Sequence, residues 1–250
     1  MRTQTWQLAL GLVLAGFGSV RNVEARSPEA EVPLTVYVYN YADVDSNTLA
    51  SAERVAAEVF RKAGVESRWI GADDILQNTR ADSAEENSLI LPHVWLRILS
   101  PAMVGRLGLP SNRLGLAPGT GPDRQDVDVF YSRVEEAAQR QRIARAHNII
   151  SQNASAGQIL GAVIAHEIGH VLLDLASHSR TGIMRGDWEL ADLYDIATER
   201  LSFTSHQAEV IRAELVRRAG QDHVPIGAEA DSPAPAPVKA GGVLQPAKER

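Results

Sequence analysis

The sequence contains no cysteine among its 250 residues. Disulfide bonds are therefore excluded, and so is any metal site or nucleophile built on a thiolate. Metal chemistry in this chain has to use imidazole or carboxylate ligands, which histidine, aspartate and glutamate supply. Without disulfides, stability must come from an ordinary hydrophobic core, with or without a bound ion.

Basic residues are also few. The chain has 25 Lys and Arg against 31 Asp and Glu, which gives a formal net charge of −6. An acidic chain does not offer the basic surface that nucleic acids require, so we expect no nucleic-acid partner. A length of 250 residues suits a single core, and we expect a monomer.

Long hydrophobic runs are missing as well. The apolar stretch from Leu8 to Val20 is too short to cross a bilayer comfortably, and Arg2 precedes it. Because Val23 and Ala25 are small residues of the kind a signal peptidase reads, we predict a signal peptide over residues 1–25 and a secreted or periplasmic protein. An uncleaved anchor is the alternative; the mature chain is expected to have no membrane span.

At the other end, residues 221–250 are rich in Pro, Ala and Gly and contain little to bury. This composition predicts a disordered tail or a tether. The folded domain is therefore predicted to occupy residues 26–220.

Apolar periodicity within that domain predicts a mixed sheet with helices on it. Strands are predicted at 33–40, 65–70, 88–99 and 127–132, and helices at 46–63, 133–150, 156–175 and 205–219. The first two strands and the helix between them form a unit with parallel strands. Pro92 favours an edge position or a break in the third strand, and residues 101–126 are predicted to be loop-rich.

The helix predicted at 156–175 carries the unusual residues. It is apolar on nearly every face, as expected of a helix through the middle of a domain, yet it contains His166, Glu167 and His170. Residues four apart on a helix point the same way, about 6 Å apart along the axis, so the two imidazoles could bind one ion. This HExxH pattern is typical of zinc sites in which the glutamate is the general base acting on zinc-bound water. The alternative is a pair of core histidines that carbonyl groups satisfy.

A catalytic zinc needs a third protein ligand and an open fourth position. His178 could return to the ion from a loop after the helix. Asp174 is about 12 Å along the axis from His166, so it suits a hydrogen bond to an imidazole better than shared ligation. Glu189 could come back on a second helix.

The stretch HEIGHVLLDLASHSRTGIM resembles the metzincin group of zinc endopeptidases, whose motif is HExxHxxGxxH followed by a methionine turn. His166, Glu167 and His170 match that motif position by position. His178 resembles the third histidine and Met184 the turn methionine.

Two positions depart from the motif. Leu173 stands where the group has glycine, and Ala176 stands where it has the third histidine. His178 therefore comes two residues late. The thermolysin-like group, whose third ligand is a glutamate on a following helix, is the competing resemblance, and Glu189 would take that role.

The metzincin resemblance implies an α+β fold of the zincin type. A twisted mixed sheet would pack on the buried active-site helix, a C-terminal helical subdomain would follow, and an antiparallel edge strand would pair with an extended substrate. LGLAPGTGPDRQDVDVFY is similar to the edge strand and loop that precede the active-site helix in the matrix-metalloproteinase-like branch of that group.

The activity that this resemblance implies is that of a secreted zinc endopeptidase acting on protein or peptide, with Glu167 catalytic and His166, His170 and His178 binding Zn²⁺. Trp188 is predicted to pack beneath the site, with a pocket wall as the alternative. A non-catalytic, zinc-stabilised interaction module, or hydrolysis of a non-peptide amide, would fit the same residues.

Overall fold

The computed structural model describes residues 32–72, 74, 92–118, 125–147, 152–173 and 178–221. The predicted signal peptide, almost all of the predicted tail and Asp174 lie outside these residues. Their assignments, and with them the domain boundaries, therefore stay predictions.

The described strands form one mixed sheet. They are β1 (Leu34–Asn40), β2 (Ser67–Gly71), β3 (His93–Leu99), β4 (Gly115–Leu116) and β5 (Asp126–Phe130). Their order across the sheet is β2-β1-β3-β5-β4. β1 is parallel to β2 and to β3, β3 is parallel to β5, and β4 pairs antiparallel with β5 at the edge. The predicted mixed sheet, with its parallel first pair, is confirmed.

Helices follow or separate the strands. In the described part of the chain they are α1 (Ser46–Lys62), α2 (Pro101–Arg106), α3 (Tyr131–Ala146), α4 (Ala156–Leu172), α5 (Leu190–Ala197) and α6 (Ser205–Gln221). The last two form the predicted C-terminal helical part.

The segment predicted to be loop-rich, 101–126, contains the short elements α2 and β4 between its described loops. Two predictions about these elements were wrong. The strand predicted over 127–132 ends at Phe130, because α3 begins at Tyr131. The helix predicted over 156–175 gives way to a turn at Leu173.

Pro92 does not place the third strand at an edge, because β3 lies between β1 and β5. The proline stands just before the strand, where it needs to donate no ladder hydrogen bond. Its carbonyl accepts one, from the Thr35 N–H at 2.9 Å. Of the two readings of Pro92, a break before the strand is therefore the one that the structure supports.

The centre of the domain is α4. Its first turn is closed by a capping box, in which Ser155 and Gln158 each bind the other's backbone N–H through a side-chain oxygen. It packs against α1 at Gly161, where a Cβ would lie 2.4 Å from the Ala52 carbonyl oxygen. Although every residue from Ile159 to Leu172 is buried, no helix in the described ranges is long and apolar enough to cross a membrane. The predicted helix through the middle of the domain is confirmed.

Candidate metal centre

Three imidazoles meet at the C-terminal half of α4. His166 and His170 lie one turn apart on the helix and are buried, whereas His178 comes from the chain beyond it and is exposed. A potential ligand nitrogen from each lies within 4.8 Å of the other two. The ring centroid of His166 is 4.8 Å from that of His170 and 5.2 Å from that of His178, and the His170 and His178 centroids are 5.0 Å apart. The structure therefore brings together all three residues that the sequence nominated as ligands.

The donor set fits a zinc ion. Imidazole nitrogens bind Zn²⁺ at about 2.0–2.1 Å, so tetrahedral neighbours stand about 3.3 Å apart. The Nε2 atoms of His166 and His170 are 3.1 Å apart. Two nitrogens at this separation, with a third close by, can occupy three corners of a tetrahedron and leave the fourth open.

A hydrogen bond orients His166. Its Nδ1 donates to the carbonyl oxygen of Ile183 at 2.7 Å, since that oxygen can only accept. Nδ1 therefore carries the proton, and Nε2 keeps the lone pair that a metal needs. Sequence reasoning missed Ile183, because a backbone acceptor leaves no mark on residue type.

His166 is also kept neutral. Burial is the largest effect and lowers the pKa of its imidazole, while the hydrogen bond to Ile183 raises the pKa in part. Repulsion from His170 and His178 lowers it further. The resulting pKa is about 4, in place of 6.5. A metal ligand must be unprotonated. At neutral pH this side chain is in the state that zinc binding requires.

The chain beyond His178 forms a closed turn. The Ser179 N–H donates to the Met184 carbonyl oxygen at 2.9 Å, and the Ile183 N–H donates to the Ser202 carbonyl oxygen at 2.9 Å. Gly186 packs against the His178 ring, where a Cβ would lie 2.7 Å from Nδ1. These contacts hold His178 toward the helix even though its own side chain is exposed.

Met184 lies beneath α4. It is fully buried, and its sulfur fills the space beside Gly169, where a Cβ would be only 2.4 Å from Sδ. Gly169 lies between the two helical histidines in sequence. Because it has no side chain, the turn that carries Met184 can pack closely against α4. The assignment of Met184 as a turn methionine rests on the sequence resemblance and stays a prediction.

Glu167 follows His166 directly and is 7% exposed. Its side chain reaches the edge strand, since a Cβ at Gly115 would lie 2.7 Å from both its Cγ and its Oε1. The carboxylate therefore occupies the space left by a residue without a side chain. Sequence reasoning missed Gly115, whose only signal was a glycine within the short apolar stretch Leu114–Leu116.

The other proposed ligand lies elsewhere. Glu189 accepts a hydrogen bond from Arg185 at 2.6 Å, and its own N–H donates to Asp192 at the start of α5. Among the described residues, it is not part of the group that can share an ion. The geometry therefore favours His178 over Glu189 as the third ligand.

Trp188 contacts the site. Its ring meets that of His166 edge to face, with centroids 5.7 Å apart, and it packs against the hydrophobic core. It therefore contacts both the His166 imidazole and the core. Packing beneath the site, with a pocket wall as the alternative, stays a prediction.

Comparison with known proteins gives little. The sequence matches no protein-family model and no curated protein. Among solved structures, the chain is similar to archaemetzincin from Methanopyrus kandleri, with 15% sequence identity and a TM-score of 0.42, over 76% of this chain and 99% of that one.

Proposed function

We propose that this protein is a zinc-dependent peptidase, in which His166, His170 and His178 bind the ion and Glu167 is the general base. The observation that carries the proposal is the convergence of three imidazole nitrogens within 4.8 Å, beside a buried glutamate on the same helix. It is the donor set and the base that peptide hydrolysis by zinc needs.

When bound, zinc would supply the Lewis acidity that polarises a peptide carbonyl and makes water a nucleophile near neutral pH. His166, His170 and His178 would hold the ion, and three protein ligands are typical of catalytic rather than structural sites. Glu167 would accept the proton of the attacking water and deliver it to the leaving amine.

The buried position of Glu167 favours catalysis over a purely structural zinc site. A structural ion is satisfied by its ligands alone and gains nothing from a carboxylate placed beside them on the same helix. Here Gly115 leaves space for it. A larger residue at position 115 would clash with the carboxylate, so the glycine in the edge strand permits the observed position of Glu167.

Peptide is the substrate class that we propose. β4 is the last strand in the sheet order and pairs with β5 along one side only, among the strands described. An extended peptide could pair with the other side by strand addition, which would bring its backbone past Glu167. From the sequence of residues 1–25 we further propose that the enzyme acts on proteins outside the cytoplasm.

Replacement of Glu167 tests the proposal. Glu167→Gln and Glu167→Ala should keep about one zinc per chain, yet hydrolyse a fluorogenic peptide at least about a hundredfold more slowly than the wild type. Metal analysis and initial rates, measured on the same samples, check both parts. A wild-type protein that binds zinc but hydrolyses no peptide would contradict the proposal and favour a zinc-stabilised interaction module.

A further inference from the structure

A polar cavity of about 330 Å³ borders the turn that follows His178. Its walls come from residues 180–182 of that turn, from residues 200–202 and from α5. The charged side chains that line it are Arg180, Arg185, Arg200, Asp192 and Asp195. No metal ligand lines it, so the cavity is separate from the ion site although the same turn serves both.

Two of the arginines are held in place by carboxylates. Arg185 donates to Asp192 at 2.9 Å and to Glu189 at 2.6 Å. Arg200 donates to Asp195 from Nε at 3.1 Å and from Nη2 at 2.8 Å. Both aspartates that line the cavity are thus already engaged by a guanidinium. They fix the positions of Arg185 and Arg200 and leave no unpaired acidic side chain in the wall.

The third arginine has no such role. Arg180 is exposed and has no hydrogen bond or ion pair with another described residue. The carboxylates of Glu189, Asp192 and Asp195 pair with Arg185 and Arg200. Arg180 is thus the guanidinium of the cavity wall that pairs with no described carboxylate. The ion pairs that stabilise the turn are made by Arg185 and Arg200, and Arg180 takes no part in them.

We propose that this cavity binds a carboxylate, with Arg180 as the residue that recognises it. Guanidinium groups bind carboxylates through paired, charge-assisted hydrogen bonds. The inference rests on the proposed peptidase function, in that the carboxylate belongs to the peptide substrate, as an acidic side chain or as its C-terminus. Arg180 follows His178 by two residues, so their Cα atoms lie at most about 7 Å apart, and a peptide at the ion can reach the cavity with a few residues.

Paired substrates test the inference. The zinc-loaded wild type, Arg180→Gln and Arg106→Gln are assayed on two series of otherwise uncharged peptides. One series carries a glutamate at successive positions, and the other carries a glutamine there. Each peptide is made with a free and with an amidated C-terminus. Arg106 is the matched control, because it is an exposed arginine on α2 that does not line the cavity. Both variants lose one positive charge.

In the wild type, one acidic group should raise kcat/KM about tenfold or more over its neutral counterpart. That ratio should fall to near one in Arg180→Gln and stay unchanged in Arg106→Gln, with the neutral peptide cleaved equally by the wild type and Arg106→Gln. A preference for internal glutamate identifies a side chain as the ligand, and a preference for the free C-terminus identifies the terminal carboxylate. A ratio near one in the wild type, or equal losses in both variants, overturns the inference.

Binding separates this inference from the proposed function. If no peptide is hydrolysed, the peptidase proposal fails, but calorimetry with the same peptides still reports on the cavity. The wild type should then bind the acidic peptide about tenfold more tightly than the neutral one, and Arg180→Gln should not. Equal affinities in the wild type would contradict the cavity's role independently of any activity.

Discussion

At the residue scale, the proposed metal centre depends on groups that are not ligands. The carbonyl oxygen of Ile183 fixes the tautomer of His166, and Gly186 leaves room for the ring of His178. Gly115 does the same for Glu167. These contacts orient two of the three imidazoles and leave room for the carboxylate that follows His166 on the same helix.

Gly115→Ala should lower peptide hydrolysis by at least about tenfold while zinc content stays near one per chain. The added methyl would stand 2.7 Å from Glu167 Oε1, so the carboxylate has to move. Misplacement of a catalytic group by about 1 Å is sufficient for a large loss of rate. Gly105→Ala is the control, because a Cβ there meets nothing within 4 Å. Unchanged hydrolysis in Gly115→Ala would mean that Glu167 does not act from its observed position.

The metal-free protein should become less stable as the pH falls from about 6.5 to about 4. The pKa of His166 is about 4 in the folded protein against 6.5 for an ordinary histidine. In that pH window the His166 imidazole is protonated in the unfolded chain but not in the folded protein. The free energy of unfolding therefore falls as the pH falls, by about 3 kcal/mol at most.

Urea unfolding with a chelator present, on the wild type and on His166→Gln, measures this effect. The difference in stability between the two proteins should shrink on acidification through that window, because the variant lacks the titrating group. A difference that does not change with pH would contradict the low pKa of His166.

Residue chemistry was the part of the site most open to prediction. The spacing of His166 and His170 fixes their common direction on any helix, and Glu167 follows from the same pattern. His178 needed a family resemblance, since the chain between the helix and the turn has no periodicity to place it. Ile183 and Gly115 could not be predicted, because they reach the site from elements whose position depends on the whole fold.

At the element scale, α4 was predictable because a helix that is apolar on nearly every face has to be surrounded by protein. Its start at Ala156 follows from the capping box between Ser155 and Gln158. The helices α2 and α5 were missed, with six and eight residues, because so few residues show little periodicity. Pro101 at the first turn of α2 was a signal that could have been used.

Gly161→Ala should destabilise the protein by about 1–3 kcal/mol, because α1 and α4 are in close contact at this glycine. A Cβ there would lie 2.4 Å from the Ala52 carbonyl oxygen and 2.8 Å from the Val55 Cβ. Denaturant unfolding of the metal-free protein checks the value. Gly220→Ala, on an open face of α6, should be neutral or slightly stabilising. Equal effects of the two changes would rule out close packing of α1 on α4.

At the scale of the whole molecule, the larger of the two hydrophobic clusters among the described residues joins the sheet, α1, α4 and α6, and it includes Met184. The proposed metal centre therefore lies on the most buried of the described helices, while its third histidine comes from a surface turn. A bound ion would link these two parts, since it binds the folded arrangement and not the unfolded chain. Zinc should stabilise the protein, and the stabilisation should depend on His178.

The most direct test of the account is the zinc affinity of the wild type beside His178→Ala and Glu189→Ala, measured by competition with a chelator and by metal analysis. The account predicts about one zinc per chain in the wild type, a loss of at least about a hundredfold in affinity in His178→Ala, and wild-type binding in Glu189→Ala. Full zinc binding by His178→Ala, or its loss in Glu189→Ala, would contradict the three-histidine site.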